Sequence, residues 1–143
     1  MELPLLKLFS RRGRHSGGRI LVVDDEATIC KLLSDYLSRR GYEIVCATTA
    51  DEALGFANAL PFDLVILDLV MPNVQGFGLL EGIKSARPNL RVLVLTGVSF
   101  EEDILQEALQ KGANGYLTKA LPLEELLIEI HRILKTGEQP TRA

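Results

Sequence analysis

The chain has 143 residues, of which 47% are hydrophobic and 24% charged, and its formal net charge is −3 at pH 7. This length fits one globular domain that buries its own core. No apolar run approaches the ~20 residues that a membrane-spanning helix needs, and the first nine residues lack the basic lead of a secretory signal. Two cysteines, Cys30 and Cys46, without metal-ligand spacing argue against a disulfide scaffold and favour a soluble protein of the reducing cytoplasm, in which both are small buried hydrophobic residues.

The charge is divided unevenly along the chain. Residues 1–19 hold five of the sixteen basic residues and one of the nineteen acids, so the remainder carries a net charge of −7. We predict a flexible basic leader over residues 1–18, a folded domain over 19–136 and a polar tail over 137–143. The acidic domain argues against nucleic-acid binding through its surface. The leader is interpreted mainly as a solvated tail, with a membrane-binding or partner-binding arm as the alternative because apolar residues precede its arginines.

The first half of the predicted domain alternates strands with helices. A short apolar strand, Ile20–Val23, stops at Asp24, Asp25 and Glu26, and a helix follows over about 27–40 with one buried stripe, formed by Ile29, Leu32, Leu33, Tyr36 and Leu37. A second strand covers 42–47, and Thr49 with Glu52 has capping-box spacing for a helix toward Leu60. The third strand, 64–67, ends at Asp68, and a third helix covers 76–86.

The second half repeats the pattern. A fourth buried strand covers 90–95 and ends at Thr96, and Ser99 with Glu102 has capping-box spacing for a helix that Gly112 closes. Residues 115–119 form a fifth strand, and the last helix begins near Pro122. Five mostly apolar strands alternating with five helices predict an α/β doubly wound fold, with a parallel sheet covered by helices on both faces.

Polar residues follow four of the five strands. They are Asp24, Asp25, Asp68, Thr96 and Lys119. Functional groups of parallel sheets gather at the carboxyl ends of the strands, so we expect these side chains to share one rim. Three carboxylates there require a cation, and oxygen ligands of this kind suit Mg²⁺, with Lys119 and Thr96 available to bind phosphoryl oxygens. Each residue alone would have an ordinary explanation as a cap, a turn or a surface charge; only the combination points to a site.

Four segments give the chain a resemblance to the receiver domain of two-component response regulators, the CheY-like proteins. They are Ile20–Glu26, Val65–Pro72 with Gly76, Val94–Gly97 and Gly115–Lys119. The resemblance covers about residues 19–136 and implies a flavodoxin-like five-stranded sheet with strand order 2-1-3-4-5.

The resemblance also implies residue roles. Asp68 would accept a phosphoryl group from a sensor histidine kinase or a phosphotransfer protein, and Asp24, Asp25, Asp68 and the backbone carbonyl of Val70 would bind Mg²⁺. Thr96 and Lys119 would hold the phosphoryl group, and Tyr116 would change position with it. Phosphorylation would alter the face formed by the fourth helix, fifth strand and fifth helix, which would bind a downstream effector or form a homodimer. Such a protein catalyses only its own phosphorylation and dephosphorylation.

Three features depart from the family pattern. Ala120 stands where the family usually has a proline after the fifth-strand lysine, and Pro122 comes later, so we predict either a cis Lys119–Ala120 bond or a rearranged loop. Gln75 replaces an acidic residue common just before the glycine, and Val70 places an apolar side chain two residues after Asp68.

Several alternatives remain open at this point. The leading interpretation is a stand-alone receiver; a receiver fragment of a longer regulator and a non-phosphorylated scaffold are the alternatives. A nucleophilic-aspartate phosphotransferase is disfavoured because Val70 occupies the position of its second aspartate. A dinucleotide-binding protein is excluded because the acids at 24–26 would repel a pyrophosphate.

Overall fold

The computed structural model describes residues 17–71, 74–97, 102–120 and 122–136. The predicted leader up to residue 16, the capping box that begins at Ser99 and the tail over 137–143 therefore lie outside the described residues.

The described residues alternate strands and helices along the whole domain. The elements are β1 (Gly18–Val23), α1 (Ala27–Ser38), β2 (Tyr42–Ala47), α2 (Ala50–Ala59), β3 (Leu64–Leu67), α3 (Gly76–Ala86), β4 (Arg91–Thr96), α4 (Glu102–Gln110), β5 (Gly115–Thr118) and α5 (Leu123–Thr136). Between β3 and α3, Val70–Met71 pairs antiparallel with Val74–Gln75, which the sequence predicted as loop.

The five main strands form one parallel sheet in the order β2–β1–β3–β4–β5. This confirms the predicted fold class and strand order. Val23 at the end of β1 is in register with Leu67 at the end of β3, and Thr96 of β4 is in register with Thr118 of β5. The carboxyl ends of the strands therefore meet at one rim.

Alternate residues of the strands face two separate apolar layers. Leu21 and Val65 pack under α2, α3 and α4, whereas Ile20 and Ile66 pack under α1 and α5. Because successive strand residues point to opposite faces, strands covered on both faces contain almost no polar residues before their last positions. The sheet is thus a rigid base that delivers polar side chains only at its rim.

Helix α2 begins as its sequence predicted. The Thr49 hydroxyl oxygen accepts a hydrogen bond from the Glu52 amide at 3.1 Å, and the Glu52 carboxylate accepts one from the Thr48 amide at 2.9 Å. The reciprocal contact thus reaches one residue further back than in a standard capping box. Across the described residues, no helix has the length and apolar character needed to cross a bilayer.

The buried stripe of α1 differs from the prediction at one position. Leu33 and Leu37 are buried as predicted, but Leu32 is 49% exposed, and Cys30 takes its place in the core. The i, i+3 and i+4 spacing fits both residues, so periodicity alone did not separate them. Of the two cysteines predicted to be buried, Cys30 is buried and Cys46 on β2 is only half-buried.

Arg19 was counted with the basic residues of 1–19, but it is the first residue of the predicted domain, and the structure places it inside that domain. Its side chain is buried, and its guanidinium lies 3.1 Å from the Glu43 carboxylate on the neighbouring strand. Its backbone amide donates to the Asp63 carboxylate at 2.8 Å. The charge of Arg19 is therefore used inside the domain.

Candidate functional site

Three aspartates lie together where β1 and β3 end. Asp24 and Asp68 follow two strand ends that are in register, and the Asp68 amide donates to the Val23 carbonyl at 3.0 Å. Asp24 and Asp68 are only 2% and 3% exposed, whereas Asp25 faces solvent. One carboxylate oxygen from each of the three lies within 4.8 Å of the others. The predicted acidic cluster is therefore present, with two buried members and one open to solvent.

Lys119 joins this cluster from the end of β5. Its Nζ lies 2.7 Å from Asp24 Oδ2 and 3.1 Å from Asp68 Oδ2, and Glu26 is more distant at 3.8 Å. Its backbone amide donates to the Thr96 carbonyl at 2.7 Å, which ties the ends of β4 and β5 together. One ammonium group thus bridges the two buried carboxylates.

Backbone amides hold the other oxygen of each buried carboxylate. Asp68 Oδ1 accepts from the Val70 amide at 2.9 Å, and Asp24 Oδ1 accepts from the Glu26 amide at 2.9 Å. Both are local turns in which an aspartate binds the backbone two residues on. The Val70 side chain is exposed and makes no part of this contact. Both carboxylates are thereby fixed in orientation before any ligand binds.

Gly76 allows the chain after Asp68 to fold tightly. A Cβ at this position would come within 2.6 Å of the Leu69 Cα and closer still to the Leu69 carbonyl oxygen. Backbone atoms cannot give way as a flexible side chain can, so a residue with a side chain would displace the loop that follows Asp68. This close approach explains why glycine stands at position 76, after the segment Val65–Pro72.

Burial sets the electrostatics of the site. It raises the pKa of Asp68 above its usual value, an effect that the hydrogen bonds from Val70 and Lys119 oppose and that the charge of Asp24 reinforces. Burial by itself would lower the pKa of Lys119, but hydrogen bonds and attraction to Asp24 and Asp68 outweigh it, and the pKa is raised. Lys119 is therefore a cation at neutral pH. The ionised form of Asp68, in contrast, is less favourable in the folded protein than it would be in water.

The cis alternative for the Lys119–Ala120 bond is wrong. The described residues contain no cis peptide bond, and Lys119 still reaches both carboxylates. Because the preceding backbone is already fixed by the bond to Thr96, proline is not needed here to aim the lysine. The alternative of a rearranged loop includes residue 121, which lies outside the described residues.

The remaining predicted residues lie on β4 and β5. Thr96 is fully buried at the end of β4. Tyr116 on β5 is half-buried, its hydroxyl oxygen is out of contact with solvent, and its ring packs against the apolar layer under α2, α3 and α4. The structure therefore gathers Asp24, Asp25, Asp68 and Lys119 directly and places Thr96 and Tyr116 on the adjoining strands.

Sequence reasoning assigned no role to Cys30, which contacts the site from behind. Its Sγ donates to the Asp24 carbonyl at 3.6 Å, and Cys46 Sγ donates to the Cys30 carbonyl at 3.5 Å. Burial first, and then Cys46, raise the pKa of Cys30 to about 12, so it is a thiol. No pattern in the sequence marks this contact, because it depends on how α1 packs against β2.

The donor set fits a hard divalent cation. The cluster offers carboxylate oxygens only, on backbone that is already ordered, and the exposed Asp25 leaves one side open to water. Mg²⁺ binds to few protein oxygens and keeps several of its waters. Receiver domains typically bind Mg²⁺ at an acidic cluster of this kind.

Comparison with known proteins identifies the family of the chain. The family model described as the response regulator receiver domain matches residues 20–131. The DNA-binding transcriptional regulator NtrC of Rhizobium meliloti is 40% identical over 119 residues, which is 83% of this chain and 24% of that protein. The PhoP regulator of alkaline phosphatase synthesis in Bacillus subtilis is 33% identical over 84% of this chain and 50% of its own length.

Solved structures give the same result. A CheY-like receiver domain protein from Methanospirillum hungatei superposes with a TM-score of 0.79 at 31% identity, covering 83% of this chain and 94% of that one. A response regulator from Burkholderia pseudomallei, crystallised with a phosphorylated aspartic acid, a calcium ion and citrate, gives 0.75 at 32% identity and covers 82% of this chain and 69% of its own.

The sequence match with the curated regulators covers only part of their length. The chain spans about a quarter to a half of the length of the curated relatives it matches. Receiver domains are signalling domains and not enzymes in the ordinary sense, and their family implies kinase or phosphotransfer partners and downstream effectors. The chain belongs to the response regulator receiver-domain family of two-component systems.

Proposed function

We propose that this chain is a phosphorylation-dependent switch in which Asp68 accepts a phosphoryl group from a phosphohistidine on a sensor kinase or a phosphotransfer protein. The observation that carries the proposal is the position of Asp68: a buried, oriented carboxylate 3.1 Å from Lys119 and grouped with Asp24 and Asp25. A carboxylate held in one orientation, with counter-charge at hand, is what phosphoryl transfer requires of a protein.

In the proposed reaction, an Asp68 carboxylate oxygen forms the new P–O bond while the P–N bond of the phosphohistidine breaks and the imidazole leaves. Lys119 already lies between Asp24 and Asp68, so its ammonium group is placed to bind a phosphoryl oxygen once Asp68 has reacted. The Val70 amide keeps its hold on Asp68 Oδ1 and restricts rotation of the carboxyl group.

Asp24, Asp25, Asp68 and the Val70 carbonyl are the groups that would hold Mg²⁺. When bound, Mg²⁺ neutralises negative charge on the phosphoryl oxygens. The related Burkholderia protein, with its phosphorylated aspartic acid and calcium ion, supports a site of this kind. The protein's own contribution is to orient the carboxylates and to supply the lysine.

The switch is proposed to run through Thr96 and Tyr116. A phosphoryl group on Asp68 adds charge and acceptor oxygens beside the end of β4, toward which the Thr96 hydroxyl can donate. Since Thr96 is fully buried and Tyr116 lies on the adjacent strand, a shift of Thr96 changes the packing around the tyrosine ring. We propose that the face of α4, β5 and α5 then binds an effector or a second copy of the chain.

Incubation with acetyl phosphate, with and without Mg²⁺, tests the proposal by intact-mass measurement. We expect the mass of one phosphoryl group in the wild type with Mg²⁺, little gain without it, and none in Asp68→Ala. Asp35→Ala, which removes an exposed aspartate of α1, is the matched control and should be phosphorylated as the wild type is. A gain that survives Asp68→Ala contradicts the proposal, and no gain in the wild type favours the non-phosphorylated scaffold.

A further inference from the structure

An apolar groove lies between α1 and α5, beside the acidic cluster. Its cavity volume is about 60 Å³, and its walls and floor are formed mainly by Ile29, Leu32, Leu33, Leu95, Leu123 and Leu126. We refer to it as the α1–α5 groove. Lys119 forms part of its edge. Leu32 stands at this groove and is 49% exposed, so the described residues leave apolar surface uncovered there.

The sequence supplies an apolar stretch of matching chemistry. Residues 3–9 contain four leucines and one phenylalanine but a single charge, Lys7. This stretch is joined to Gly17 and hence to β1, an internal strand whose alternate residues pack into the apolar layers on both faces of the sheet. The tether therefore leaves from within the sheet, and its length decides whether the stretch can reach the groove.

The tether is long enough to reach the groove. Gly17 lies eight positions after Phe9, a separation that extends to about 26 Å at ~3.3 Å per residue. Strand β1 has six residues and spans about 20 Å. The groove lies near the carboxyl ends of the strands, because Leu95 is the last residue but one of β4 and Lys119 follows β5. A segment that starts at the amino end of β1 is thus long enough to pass over the outside of α1 or α5 and reach the groove.

We propose that residues 3–9 bind in the α1–α5 groove of the same chain, with their leucine and phenylalanine side chains against Leu32. Tethering gives the segment an effective concentration in the millimolar range, so an intrinsic dissociation constant of about 1 mM is sufficient for substantial occupancy. Burial of a few leucine side chains supplies an affinity of that order. The proposal goes beyond phosphorylation and does not depend on it.

Photo-crosslinking of the full chain tests this directly. The photoreactive analogue p-benzoylphenylalanine replaces Phe9, and the crosslinked residue is identified by peptide mass. We expect intramolecular crosslinks to residues 29–33 or 117–126, with a yield that does not depend on protein concentration. The yield should fall about tenfold in Leu32→Glu, because a charge replaces one apolar contact.

Ile128→Glu is the matched control. Ile128 is an exposed apolar residue of α5, 62% exposed, that is not among the residues lining the groove, so this variant should crosslink as the parent does. Circular dichroism checks that both variants are folded. A second pair of changes in the stretch itself, Leu5→Asp with Leu6→Asp, should reduce the yield to the same extent as Leu32→Glu without altering the folded domain.

Four results would overturn the proposal. They are crosslinks between two chains that rise with concentration, crosslinks confined to other surfaces, the absence of crosslinks, and a yield unaffected by Leu32→Glu. Adding vesicles of anionic phospholipid separates this proposal from a membrane-binding arm: binding of the full chain to vesicles, with no groove crosslink in their absence, assigns the stretch to the lipid surface.

Discussion

Replacing Asp68 by asparagine should stabilise the metal-free protein at pH 7. Asparagine has nearly the same shape and keeps an oxygen for the Val70 amide, which donates to Asp68 Oδ1 at 2.9 Å. The substitution removes one negative charge from a buried cluster, while Lys119 retains its contact with Asp24 at 2.7 Å. The variant therefore isolates the free energy of holding a charge at this position.

Burial, and not the charge pairs alone, decides the sign of this effect. At an effective dielectric constant of about 20, unit charges on Asp24 and Asp68 no more than 4.8 Å apart repel by at least about 3.5 kcal/mol, whereas Lys119 at 3.1 Å returns about 5 kcal/mol, so these two interactions together favour the ionised carboxylate. Asp25 adds a repulsion that solvent weakens, and burial of the Asp68 charge adds a desolvation cost. We expect the free energy of unfolding to rise by about 1 to 2 kcal/mol in Asp68→Asn.

The stability gained by Asp68→Asn should increase as the pH rises from acidic to neutral. Because burial raises the pKa of Asp68, the folded state binds the proton more tightly than the unfolded state does. The stability that protonation contributes is present below the unfolded pKa, near 3.8, and is lost as the pH rises through the higher folded value. The advantage of Asp68→Asn should therefore be small at acidic pH and full at neutral pH.

Urea unfolding followed by circular dichroism, between pH 4 and pH 8 with EDTA, measures this advantage. Asp35→Asn, at an exposed position of α1, is the control and should change stability by less than about 0.5 kcal/mol. Mg²⁺ at about 100 times its dissociation constant should stabilise the wild type by about 2.7 kcal/mol and the variant far less. An Asp68→Asn protein less stable than wild type at pH 7 in EDTA, or an advantage that shrinks with rising pH, would show that the buried charge of Asp68 does not destabilise the fold.

Four further substitutions test the site and the fold that supports it. In urea unfolding, Gly76→Ala should lower the free energy of unfolding by more than about 1 kcal/mol, and it should also slow phosphorylation. Its control is Gly55→Ala, in a helix with open space around the position, which should raise the free energy of unfolding by about 0.5 to 1 kcal/mol. Lys119→Met should leave the fold intact by circular dichroism but reduce the rate of acetyl phosphate labelling by at least about tenfold, and an unchanged rate would contradict its role. Asn114→Ala should cost about 1 to 3 kcal/mol, because its buried side-chain oxygen accepts the Val92 amide at 2.9 Å.

The rim of the sheet could be predicted because parallel strands impose a common end. Strands covered on both faces must be apolar along their length, so the first polar residue marks where each strand leaves the sheet. Asp24, Asp68 and Thr96 were located in this way, and register then brought the first two together. The sheet order itself came from the family resemblance, since apolar strands of similar length do not specify their neighbours.

Contacts that depend on packing angles could not be predicted. Cys30 was predicted to be buried, but the exposure of Leu32 is decided by the rotation of α1 against the sheet, which a spacing of three and four residues leaves open. The buried pairing of Arg19 with Glu43 required the register between β1 and β2. The two-residue strands before α3 lie in a segment whose Pro and Gly content predicts only a loop.

Chemical trapping of the aspartyl phosphate shows whether Asp68 is the residue that carries the phosphoryl group. Borohydride reduces an aspartyl phosphate to homoserine, which peptide mass spectrometry locates in the sequence. After acetyl phosphate and Mg²⁺, we predict homoserine at position 68 and aspartate unchanged at positions 24 and 25. Homoserine at position 24 or 25, or a phosphorylated protein with position 68 unaltered, would contradict the account.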